Sequence, residues 1–112
     1  MPVNVTQIVE PQLLTGSAAT LFTASAKTNV QISKVTIANP TGTPYTYTLY
    51  VVPSGGSAGA SNTITSAQSV AAGTTYNDPN VPGLVLNPGD FISGFASTTS
   101  ELVIAISGVI FS

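Results

Sequence analysis

The chain has 112 residues, enough for one domain, of which 43% are hydrophobic and 5% charged, with a net charge of −2. Two basic residues give no electrostatic footprint for nucleic acid or an anionic membrane, and the lack of Cys and His excludes thiolate or imidazole metal sites, Cys nucleophiles and triads with a His base. No apolar run reaches the roughly 18–20 residues of a membrane helix, and Met1-Pro2-Val3-Asn4 has neither the basic region nor the apolar stretch of a leader, so none is expected.

The six charges are Glu10, Lys27, Lys34, Asp78, Asp90 and Glu101, while 16 Thr and 13 Ser supply hydroxyls. A soluble domain ordinarily carries about 25% charged residues. The surface of this one is therefore built from Ser, Thr, Asn, Gln, Gly and Ala.

No window repeats apolar residues at helical spacing for three turns, and Val, Ile, Thr and Tyr between many Gly and Pro favour short strands. Residues 3–9 alternate through Val3 and Val5 to Ile8 and stop before Pro11. Residues 13–16 lead into a short strand over 19–24 with Leu21 and Phe22. Residues 30–38 form the first strong strand. Its apolar set moves from Val30 and Ile32 to Val35 and Ile37, a change of parity that predicts a β-bulge near Ser33-Lys34. Asn39-Pro40-Thr41-Gly42-Thr43-Pro44 is a turn, and the strand over 45–52 follows with Tyr45, Tyr47, Leu49 and Val51 on one face.

A loop of small residues, 53–61, precedes a more polar strand over 62–70 with Ile64 and Val70. Ala71-Ala72-Gly73 turns the chain into residues 74–76, and a second loop, 77–83, into the short strand 84–86. Asn87-Pro88-Gly89-Asp90 reads as a type II turn, with Pro second and Gly third. The strand over 91–97 puts Phe91 and Phe95 on one face. The last strand, 101–111, is apolar on both faces and belongs in the middle of a sheet, covered on both sides. About eight strands in this length predict an all-β, two-sheet antiparallel β-sandwich, a jelly roll ahead of an immunoglobulin-like arrangement.

Candidate chemistry is thin. Asp90 follows a Pro-Gly turn of the kind found in cupin barrels, but cupin metals need several His ligands, so Asp90 is expected to order the turn by accepting backbone hydrogen bonds. Asp78 and Glu101 show no spacing for an acid–base pair or a cation loop and are expected as solvated residues of loops or strand ends. Tyr45, Tyr47, Tyr50 and Tyr76 would be the material for a sugar-stacking platform, although Trp is absent and strand tyrosines more often serve core or interface. Gly55-Gly56-Ser57-Ala58-Gly59 has no following Lys or helix and is not a phosphate loop. No catalytic residue, metal or cofactor is expected. A lone sandwich guards its sheet edges with charges, and a chain without them is expected to hide surface in an assembly.

Val35-Thr36-Ile37-Ala38-Asn39 followed by Leu49-Tyr50-Val51-Val52-Pro53-Ser54-Gly55-Gly56 resembles small virion proteins of tailed bacteriophages, in which a strand ending in Asn leads through a turn to a T-L-Y-x-V-P-x-G strand. Ala71-Ala72-Gly73, Leu86-Asn87-Pro88-Gly89-Asp90-Phe91-Ile92 and the closing Ile106-Ser107-Gly108-Val109 are similar to turns and strands of the same proteins. The resemblance covers roughly residues 13–111. It implies a non-enzymatic capsid decoration (cement) protein, made in the host cytoplasm and placed on the virion exterior. Its implied partners are the major capsid protein and copies of itself, a trimer ahead of a dimer. A tail, baseplate or fibre component, or a carbohydrate-binding module for host adsorption, is the alternative. Residues 1–12 are expected as an N-terminal strand or arm ahead of the sandwich domain 13–112, and Val3, Val5, Ile8, Tyr45 and Tyr47 as interface candidates.

Overall fold

The computed structural model describes residues 3–98 and 101–111, and in it the alternating segments become nine strands. They are β1 (Val3–Leu13), β2 (Ala19–Thr23), β3 (Asn29–Ala38), β4 (Tyr45–Val52), β5 (Thr63–Val70), β6 (Thr75–Asn77), β7 (Val85–Leu86), β8 (Phe91–Ala96) and β9 (Val103–Phe111). A single 3-10 turn, Ala60–Asn62, interrupts the loop before β5.

Two antiparallel sheets result. One runs β1-β9-β3-β6, with β7 also on β3, and the other runs β2-β8-β4-β5. The pairings are nested: first with last, second with second-last, β3 with β6 and β7, and β4 with β5. A chain folded as one long hairpin and then wrapped into two layers is the jelly roll. The expected fold class holds.

The core lies between the layers. Val30, Ile32, Val35 and Ile37 of β3, Ile104 and Ile106 of β9, Leu49 of β4 and Ile92 of β8 are fully buried in it. The parity change in β3 is met by a register shift between Ile32 and Lys34, so Ser33 is the extra residue of the expected bulge and both apolar pairs face inward. Tyr47 and Leu49 are buried, and Tyr45 and Val51 pack partly against the same cluster, as their shared parity requires. The turn before β8 has the expected form: Gly89 has φ +87°, and the Asp90 N–H donates to the Asn87 carbonyl at 2.9 Å.

Two expectations need correction. β9 is central, between β1 and β3, but only its inner face is covered. Val103, Ala105, Val109 and Phe111 on its outer face stay half-exposed, because the second sheet covers one side only. The first strand does not stop before Pro11. It continues to Leu13, and Pro11 falls in a register shift between Val9 and Gln12, where a missing N–H interrupts no regular ladder. Residues 3–13 thus form the edge strand of the chain's own sheet, with Val9 buried in the core and Ile8 packed against it.

Gly108 shows how tightly β9 is held. A Cβ there would sit 2.7 Å from the Gln31 carbonyl oxygen, which is backbone and cannot swing away. Gly108→Ala is expected to cost about 1–3 kcal/mol in a denaturant titration. Ile104→Asp should prevent folding, since an unpaired buried carboxylate costs several kcal/mol, comparable to the stability of a small domain. Deleting residues 1–10 removes Val9 from the core and strips β9 of its neighbour. The truncated chain is expected to melt far lower or to be insoluble; an unchanged melting temperature would show that β1 is a separable arm.

Candidate functional site

The bulge in β3 is matched across the sheet by a break between β6 and β7. On either side of the break the chain still bonds β3: the Asp78 N–H donates to the Val35 carbonyl at 2.9 Å, and the Gly83 N–H to the Ile32 carbonyl at 2.6 Å. The residues between loop into the sandwich, carrying Val81 to full burial and Asp78 to 2% exposure. Asp78 is therefore not the solvated loop residue its flanking Asn and Pro suggest.

Four neutral donors meet its carboxylate. The Tyr47 hydroxyl donates to Oδ2 at 2.5 Å and the Thr65 hydroxyl to the same oxygen at 2.8 Å. The N–H groups of Asn80 and Val81 donate to Oδ1 at 2.8 and 2.9 Å. Burial alone would push this carboxyl up, but the hydrogen bonds from Tyr47, Val81, Thr65 and Asn80 outweigh it and hold the group below its ordinary pKa. Burial first, then the bond to Asp78 and its negative charge, push the Tyr47 phenol far above its ordinary value. Tyr47 and Thr65 belong to one sheet, while the Asp78 backbone is bonded to the other. The cluster is a polar pin through the sandwich, with no lone pair left facing a substrate.

The other candidates are structural as well. Asp90 accepts the Asn87 N–H at 3.0 Å, as expected, and also the Ser54 N–H at 2.9 Å, so it ties its turn to the loop after β4. Asn39, buried and unsuspected from sequence, uses its whole amide. Its Nδ2 donates to the Thr43 and Val70 carbonyls, and its Oδ1 accepts from the Thr41 N–H and hydroxyl. Among the described residues no three acidic groups converge on a cation position, and no pocket opens. The four tyrosines do not share a platform. Tyr47 tilts against Tyr76 inside, with ring centres 6.4 Å apart, while Tyr50 stacks on Phe95 at 6.2 Å on the outer face of the second sheet.

Of the five interface candidates, Tyr47 is buried, and Ile8 and Tyr45 are partly buried against the core. The side chain of Val3 lies outside the described residues. Val5 stands apart, at 83% exposure on the outer face of edge strand β1. Across the sheet it begins a row of register partners, Val5, Val109, Gln31 and Val85, that ends at Val85 with 52% exposure. Leu13, 50% exposed, sits beside Val103 on the same face. The outer face of the first sheet thus exposes Val5, Leu13 and Val85 among polar Gln7, Gln31 and Ser107, with Lys34 beside Ser107.

Tyr47→Phe removes one of four donors and is expected to cost about 2 kcal/mol, the range for a hydrogen bond to a charged group. Asp78→Ala, which orphans all four, should cost about 3 kcal/mol or more. Because the folded carboxyl is held low, its contribution is complete above about pH 4 and is lost as the pH falls through the folded value. Acid unfolding followed by circular dichroism should therefore shift to higher pH in Tyr47→Phe.

No protein-family model and no curated protein matches this chain. Among solved structures it is similar to a chain of the infectious bursal disease virus VP2 subviral particle, with a TM-score of 0.50 and 16% identity over 97% of this chain and 32% of that one. Chains from the structures of the Gx and Gt strains of the same virus give TM-scores of 0.48 and 0.46, at 17% and 14% identity, over 97% and 96% of this chain and 31% of theirs. The chain spans about a third of the length of the viral chains it matches. At such identity the likeness is one of fold.

Proposed function

We propose that this chain is a non-enzymatic structural protein of a virion, a decoration protein that binds the outside of a tailed-phage head as an oligomer and stabilises the shell. The observation that carries the reading is the fold, shared over 97% of the chain with a chain of a viral particle at a TM-score of 0.50. The surface supports it. Val5, Leu13 and Val85, exposed on a face with few charges, suit lasting contact with a protein lattice better than free solution.

The mechanism is mass action. A protein that binds the assembled shell and not its separated subunits stabilises the shell by its binding free energy at every site. Several modest contacts on one oligomer add through effective concentration. Contacts made by Val5, Leu13, Val85 and backbone groups rather than by ion pairs are only weakly screened by salt.

Particles carrying the protein and particles stripped of it should differ when heated. DNA release is expected at a lower temperature from the stripped ones, and rebinding of the purified protein should restore the original value at both low and high salt. Equal release temperatures would overturn the stabilising role. Gel densitometry of whole particles separates a head location, with hundreds of copies on the order of the capsid lattice, from a tail location with a handful.

A further inference from the structure

Each sheet of an open sandwich ends in strands whose outward N–H and C=O groups are free to pair with another chain. Three of the four edges here are interrupted. β5 carries a two-residue excursion between its pairings with Tyr47 and Leu49, where Ala67 takes φ +46° and its N–H is drawn to the Thr48 hydroxyl at 3.0 Å. β2 is five residues long with a register shift between Thr20 and Phe22. The opposite edge of the first sheet is split into β6 and β7, of three and two residues.

β1 differs. From Val3 to Gln7 it pairs with β9 in unbroken register, Val3 with Phe111 through Gln7 with Ser107. These five residues carry no charge, and Val5 is 83% exposed. Glu10, Pro11 and two register shifts end the open section on its C-terminal side. Among the described residues, three edges are irregular and the Val3–Gln7 section of β1 is regular.

We infer that the Val3–Gln7 edge of β1 is a docking site for the same edge of a second copy of this chain, paired antiparallel about a two-fold axis at Val5. An open row of main-chain donors and acceptors is matched by another strand, and an antiparallel strand can be its own partner in an isologous interface. With Val5 opposite Val5 of the second copy, Val3 faces Gln7 and Asn4 faces Thr6, so no charge is brought into the contact. The axis stands perpendicular to the sheet and keeps both outer faces on one side. The two β1-β9-β3 sheets become one, and the Val5–Val109 row of each copy runs into that of the other across the joint. This is a two-fold pair, the dimer that stands behind a trimer among the oligomers the resemblance implies. It stands whether or not the protein attaches to a capsid.

Sedimentation of the full chain, without particles, tests the pairing. A dimer is expected at concentrations up to about 100 μM. Val5→Lys places two ammonium groups opposite each other and should weaken the dimer about tenfold or more, with the melting of the monomer unchanged because Val5 is exposed. The natural chain has no cysteine, so Val5→Cys should form a disulfide between copies under mild oxidation, whereas Ser69→Cys on the interrupted β5 edge should not. A monomer throughout that range, a dimer or trimer unaffected by Val5→Lys, or cross-linking equally efficient through Ser69→Cys would overturn the inference.

Discussion

A carboxylate sealed between two sheets with no cation beside it is a costly thing to bury, and most of this fold is arranged so that Asp78 can be. Transfer of an unpaired charge to an apolar interior would exceed the stability of a small domain. Two hydroxyls and two backbone N–H groups share that charge, and each comes from a place the topology had to supply. The bulge at Ser33 and the gap between β6 and β7 open the room, β4 and β5 bring Tyr47 and Thr65, and the Asx-type turn of residues 78–81 brings the backbone donors. Charge-assisted bonds of this kind are directional where hydrophobic contacts are not. The pin therefore sets how the two layers sit over each other, a matter that Ile and Val packing alone would leave loose.

The same shortage of charge that makes Asp78 conspicuous shapes the outside. Natural sandwiches keep lysines and glutamates on their edges to prevent strand addition. With two lysines in the whole chain, this protein uses backbone irregularity instead: a positive-φ alanine on β5, a shift in β2 and a split strand beside β3. β1 lacks such a device over Val3–Gln7, and beside it the outer face of the first sheet exposes Val5, Leu13 and Val85. Protection at three edges and its absence over Val3–Gln7 fit a subunit that pairs once, through a single edge. The proposed place on a virion uses that asymmetry, since a face that is awkward in solution is covered in a lattice.

Asn39 and Asp90 show a second use of polar groups. Both sit where the chain reverses, at opposite ends of the sandwich, and both bond segments distant in sequence: Asn39 reaches Val70, and Asp90 reaches Ser54. Loops rich in Ser, Thr and Gly have little apolar surface of their own to bury. Side-chain acceptors that gather backbone N–H groups replace it, and the ends of the sandwich are ordered without large hydrophobic residues.

Much of this was legible in the order of residues. Period-2 alternation over 45–52, the parity change at Ser33, the Pro-Gly turn before Asp90 and the doubly apolar last strand are local patterns, each written in a few neighbouring positions, and together they specify an antiparallel sandwich with β9 at its centre. The sequence misled where a residue's fate depends on partners far along the chain. Asp78, between Asn and Pro, reads as a solvated turn, because Tyr47 and Thr65, 31 and 13 residues away, are invisible to local pattern. Pro11 reads as a strand end, because nothing local shows that a register shift awaits it. Tyr47 reads as core or interface alike, since alternation gives the face of a strand but not which face another sheet will cover. Strands, turns and the poverty of charge are properties of neighbouring residues and need no distant partner. Tertiary structure decided which carboxylate is buried, which edge stays open and which apolar face is left to solvent, because each depends on long-range pairing that only the closed, two-layered chain brings together.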